Sequence, residues 1–167
     1  MLRRALIALA LLSVGGMAGA AETPCSDPGQ HGWDFWLGRW RVSDAKGVFH
    51  GIDEVTRGPG GCGLIEHWHG QEGGEGTSLN SYSPATGEWT QHWMSPTETI
   101  DLTGKFDSHR ALRTTGTITH YNVKEPHPFR GNWVPQDDGT MVQEFFEQDP
   151  ATGHWTEWFV ATYKKMS

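Results

Sequence analysis

What the sequence lacks narrows it first. Lysine and arginine number 13 against 20 acidic residues, a formal charge of −7, and no stretch gathers them into a basic patch. The electrostatic footprint of a protein that binds nucleic acid or an anionic membrane is therefore missing. The longest apolar run, Ala5 to Val14, falls well short of the roughly 20 residues that span a bilayer, so no stable membrane anchor is expected. There is no Gly-x-Ser-x-Gly elbow, no phosphate loop and no dinucleotide fingerprint leading into a helix. No window after the first 20 residues carries a helical stripe of apolar side chains. No cofactor is implied by any of these motifs.

The apolar run has a different use. Arg3 and Arg4 precede it, and Ala18-Gly19-Ala20 supplies the small residues of a signal-peptidase site, so residues 1–20 read as an export signal cut after Ala20. Removal leaves 147 residues, one domain's worth, and moves the formal charge to −9. The mature protein is expected to be periplasmic or secreted. In that setting the only two cysteines, Cys25 and Cys62, invite a disulfide, the alternative being two separate buried thiols.

Residues 21–32 are polar, with Pro24 and Pro28, and read as a lead-in segment ahead of a domain over 33–167. From Gly38 onward the apolar period is two. Strands are predicted over Val48 to Thr56, Leu64 to His69, Thr77 to Tyr82, Trp89 to Ser95, Thr99 to Asp107, Leu112 to Val123, Phe129 to Val134, Met141 to Gln148 and Trp155 to Lys164. Glycine- and proline-rich turns separate them. With the strand opening at Gly38 this makes an all-β fold of about ten strands. Short connections favour an antiparallel up-and-down meander, and closing it into a barrel removes the edges that invite aggregation. A single helical turn around Trp33 to Leu37, capped by Asp34, is expected at the N-terminal end. The near-identical strings Ser83-Pro84-Ala85-Thr86-Gly87-Glu88-Trp89 and Asp149-Pro150-Ala151-Thr152-Gly153-His154-Trp155 read as one hairpin type used twice.

Gly38-Arg39-Trp40 at the start of the first strand resembles the glycine-any-tryptophan signature of lipocalins and the wider calycin group. The string Asp34-Phe35-Trp36-Leu37-Gly38-Arg39-Trp40-Arg41-Val42, with Gly61-Cys62-Gly63-Leu64-Ile65-Glu66-His67-Trp68, Ser78-Leu79-Asn80-Ser81-Tyr82 and Trp89-Thr90-Gln91-His92-Trp93, is similar to exported bacterial lipocalin-like domains of unknown function. The resemblance implies a calycin-like barrel and carries no activity. Nitrobindin, a haem-binding barrel, has a longer glycine-rich start than this chain, so haem is not implied.

Alternation sorts the candidate site residues by face. Glu66 and Trp68 share one face of their strand, while His67 and His69 share the other. Asn80 goes with Tyr82, and Gln91 with Trp89 and Trp93. If the tryptophans mark the interior, Glu66, Trp68, Asn80, Tyr82, Gln91 and Trp93 line the lumen, and Trp33 to Val42 plugs its closed end. Such a mixture of carboxylate, amides, phenol and indoles suits an amphipathic or aromatic small molecule. Burial would raise the Glu66 pKa, whereas an arginine such as Arg113 or Arg130 would lower it. Gln143 and Glu147 could join the cluster, but Phe145 and Phe146 leave the parity of their strand open.

Three functions follow from these choices. The leading one is an exported barrel that holds a small-molecule ligand. The second is an isomerase, hydratase or cyclase that uses Glu66 as acid or base beside Tyr82 and Asn80. The third takes the opposite face: His67 and His69, with His92 or His120, would hold a metal in a cupin-like protein. The acid of the cupin motif is missing, since Glu72 comes too early and Glu75 too late.

Overall fold

A computed structural model describes residues 25–167; the expected export signal, residues 1–20, lies outside the described residues. Ten strands follow one another: β1 (Gly38–Ser43), β2 (Phe49–Arg57), β3 (Leu64–Gly70), β4 (Glu75–Ser83), β5 (Glu88–Met94), β6 (Glu98–Phe106), β7 (Leu112–His120), β8 (Pro126–Pro135), β9 (Met141–Gln148) and β10 (Trp155–Lys165). Each pairs antiparallel with the next, and β10 returns to β1, so the meander closes into an up-and-down barrel without an edge. This agrees with the calycin-like architecture that the Gly38-Arg39-Trp40 resemblance implied.

Alternation divides the side chains between lumen and solvent. Trp40 and Val42 of β1, Val55 of β2, Trp89 of β5, Leu102 of β6, Ile118 of β7 and Trp133 of β8 point inward and are buried. A cluster of tryptophans in this core collects at one end. Trp33 stacks on Trp36 with ring centroids 4.8 Å apart, and meets Trp89 and Trp133 edge-on at 5.3 and 4.9 Å. The indole N–H groups of Trp33, Trp36 and Trp133 find no hydrogen-bond acceptor. Each such orphan costs about 1–3 kcal/mol, whereas burying about 200 Å² of indole contributes about 5 kcal/mol, so packing wins at this end.

The segment before β1 forms the plug. Asp27 caps a 3-10 turn over Pro28–His31 by accepting from the Gly29 N–H at 2.7 Å, and Trp89 Nε1 donates to the Gly29 carbonyl at 3.2 Å. The turn expected around Trp33 to Leu37 is a second 3-10 turn, Asp34–Trp36. Asp34 does not cap it. Its carboxylate pairs instead with Arg57 from the end of β2. Cys25 and Cys62 form a disulfide that ties the lead-in to the β2–β3 connection. Gly38 enters β1 at φ +125°, where a side chain would also strike Lys165, and two residues later Trp40 Nε1 donates to the Trp36 carbonyl at 2.8 Å.

The two echoed strings make the same turn at opposite ends of the barrel. Gly87 N–H donates to Ser83 O and Gly153 N–H to Asp149 O, each at 2.8 Å, with φ values of +69° and +72°. One strand boundary departs from expectation. β7 stops at His120 rather than Val123, because the N–H groups of Val123 and Lys124 both turn back to the His120 carbonyl, and β8 then begins early, through Pro126 and Pro128.

Candidate functional site

The barrel end opposite the plug is not filled. Trp68 of β3 and Trp93 of β5 lie there because their strand neighbours are small. A Cβ on Gly76, which pairs with Trp68 on β4, would sit 2.1 Å from the Trp93 ring. On β10 the register shifts between Glu157 and Phe159, and this bulge lets both Trp158 and Phe159 line the lumen. With Ile100 and Phe145 they wall a cavity of about 120 Å³.

Its floor is polar. Glu66, Gln91, Gln143 and Tyr163 line it. Ser78 Oγ donates to Glu66 Oε2 at 2.5 Å, Gln91 Nε2 reaches the same oxygen at 3.4 Å, and Asn80 Nδ2 donates to Ser78 Oγ at 2.8 Å. The Tyr163 hydroxyl donates to Gln143 Oε1. Asp53, wholly buried on β2, stands diagonally across from Glu66, since Val55 rather than Asp53 is Glu66's direct partner. Neither Asp53 oxygen has a partner in hydrogen-bonding geometry.

Two carboxyls so deep in the barrel cannot both ionise cheaply. Burial pushes the Glu66 carboxyl up to about 7, against the opposing pull of Ser78 and Asp53. Burial, and then the nearness of Glu66, raise Asp53 well above the usual carboxylate range. The Tyr163 phenol is pushed up by burial and by both acids. The pair therefore titrates as a unit, with its first proton leaving near neutrality.

The arginines considered as partners for Glu66 do not reach it. Arg130 faces outward and stacks over Phe146 and Trp155, with its guanidinium 4.7 and 4.5 Å from their ring centroids. Arg113, also outward, pairs with Asp107 at 3.0 Å. Both sit between lumen-facing neighbours, Leu112 and Thr114 or Phe129 and Gly131, so alternation turns them to solvent.

Of the six residues expected in the lumen, Glu66, Trp68, Gln91 and Trp93 line the cavity. Asn80 faces inward one layer deeper and joins the network through Ser78. Tyr82 packs against Trp89 at the plug, 5.7 Å between ring centroids, away from the cavity. His67 and His69 project from the outer surface, where His67 meets Thr77 at 3.3 Å and His69 faces Glu75 at 3.8 Å. His92 is outward too, on Asp101. Among the described residues no three His, Cys, Asp or Glu side chains are placed to hold a metal ion.

Several groups of the site escape sequence reasoning. Asp53 shares a face with Gly51 and Val55, while the opposite face of β2 carries Ile52, so apolar content did not single out its parity. Trp158 depends on a bulge that no residue pattern announces. Ser78 and Tyr163 were within reach, because Ser78 alternates with Asn80, and Tyr163 with Ala161. Toward the rim, Glu147 accepts from His127 at 2.6 Å and His120 at 3.1 Å, which resolves the parity of β9: Gln143, Phe145 and Glu147 face in and Phe146 out. No protein-family model and no curated protein matches the chain.

Proposed function

We propose that this is an exported barrel that binds a small molecule in its lumen. The observation that carries the reading is the cavity of about 120 Å³, apolar on its walls and polar on its floor, at one end of a barrel whose other end is plugged. Protein interiors pack to near-crystalline density, but here the side chains leave a space, and the polar groups converge on it from β3, β5, β9 and β10. Native mass spectrometry of gently purified protein, followed by titration with small alcohols, tests the reading. A retained or added molecule in one-to-one ratio is expected, and the absence of any bound species would end it.

Export is supported by the Cys25–Cys62 disulfide, which fits an oxidising compartment, and by the signal pattern in residues 1–20. No helix among the described residues is long and apolar enough to cross a membrane. N-terminal sequencing of the protein recovered from a periplasmic or culture fraction should begin at Ala21.

A second reading has its own observation. A carboxyl with a pKa of about 7 is matched to proton transfer near neutral pH, so Glu66 could serve as general acid or base, with Asp53 tuning it and Ser78 and Gln91 orienting it. On that reading Glu66→Gln abolishes turnover of a lumenal substrate while leaving its binding measurable.

A further inference from the structure

We propose that the ligand of this cavity is a small organic cation, a protonated amine or quaternary ammonium whose enclosed part has about six non-hydrogen atoms. The size follows from the volume, since a cavity of about 150 Å³ holds a benzene ring. This inference rests on the lumen-binding reading and adds the chemistry of what is bound.

The charge of the lumen points first. Glu66 lines the cavity and Asp53 lies behind it with both oxygens unpartnered, yet no lysine or arginine is among the lining residues. The aromatic-stacked arginines, Arg41 on Phe49 and Arg130 on Phe146 and Trp155, belong to other surfaces. A buried carboxylate without a cation is the costly half of an ion pair, and a ligand cation would complete it. A ligand carboxylate would instead meet Glu66 as a like charge.

The walls make the same selection. Trp68, Trp93, Trp158 and Phe159 line the cavity, and aromatic rings attract a cation most strongly where water is excluded. Two of the floor's donors are already committed: the Tyr163 hydroxyl to Gln143, and the Gln91 amide to Glu66 and Ser78. The chain's formal charge of −7 adds a field that draws cations toward it.

The test is calorimetric titration at pH 8 and about 0.15 M salt, where surface attraction is screened over roughly 8 Å. Four probes are compared: cyclopentylammonium, tetramethylammonium, cyclopentanol and cyclopentanecarboxylate. The ammonium ions should bind at least tenfold more tightly than the alcohol, and the carboxylate should give no heat. Glu66→Gln should lose that preference, while Glu75→Gln, on the exposed outer surface, should keep it. If Glu66→Gln does not fold, Asp53→Asn replaces it, with a smaller loss of preference expected. Alcohol or carboxylate binding as tight as the ammonium, or a preference untouched in the lumenal variants, overturns the inference and leaves lumenal binding standing. Failure of all four probes to bind overturns both.

Discussion

Glu66→Gln should make the protein more stable at alkaline pH and nearly unchanged in acid. The carboxyl ionises at an ordinary 4.5 in the unfolded chain but at about 7 in the barrel. Below 4.5 both states hold the proton and pH has no effect. Between 4.5 and 7 the folded state keeps a proton that the unfolded state has released, so stability falls as pH rises, and above 7 the loss is complete. That interval, at about 1.4 kcal/mol per pH unit, amounts to about 3 kcal/mol at pH 8. Glutamine is isosteric, its carbonyl still accepts from Ser78, and it carries no charge to desolvate. Asp53 and Tyr163 are both pushed upward by burial and by the nearby acids. For a chain of this size 1 kcal/mol shifts Tm by about 2–4 °C, so the variant should gain about 6–12 °C at pH 8 over what it gains at pH 4.5. Circular dichroism melts of both proteins at the two pH values measure this directly. A gain that is the same at both, or a variant that loses ground as pH rises, would mean that Glu66 is ionised and compensated in the fold, and the reasoning would be refuted.

Other perturbations separate the plug from the site. Trp33→Ala removes a ring packed on Trp36, Trp89 and Trp133 and should cost about 3–5 kcal/mol in denaturant melts; a loss under 1 kcal/mol would show that the plug is not part of the core. Replacing Cys25 and Cys62 together by serine opens a loop of 37 residues and should cost up to about 4 kcal/mol, read from the midpoint of guanidinium unfolding against the oxidised parent. Gly76→Val drives the Trp93 ring out of its place beside β4, so lumenal probes should bind at least tenfold more weakly while far-ultraviolet circular dichroism stays barrel-like; unchanged affinity would remove Trp93 from the site.

The parts of the molecule that were legible in sequence share one physical origin. Strand alternation depends only on local backbone geometry, so the pairing of Glu66 with Trp68 and of Gln91 with Trp93 on one face could be read residue by residue. Alternation does not report height along the barrel. Tyr82 and Asn80 share a face, yet register sets Tyr82 against Trp89 at the plug and Ser78 against Trp93 at the cavity, and register is settled by the whole closed sheet. The same alternation, through Leu112 and Phe129, places Arg113 and Arg130 outside the lumen. Asp53 and Trp158 lay beyond it: the first sits on a strand with apolar residues on both faces, the second on a bulge.

The opening strings around Trp33 and Gly38 thus concern closure of the barrel, and the chemistry concentrates at Glu66 and Asp53 above that plug. Carbon-13 NMR titration of the Glu66 side-chain carboxyl, with and without tetramethylammonium, tests this most directly. The account predicts an apparent pKa of about 7 that falls when the ammonium ion is added. An ordinary value near 4.5, unmoved by the cation, would contradict it.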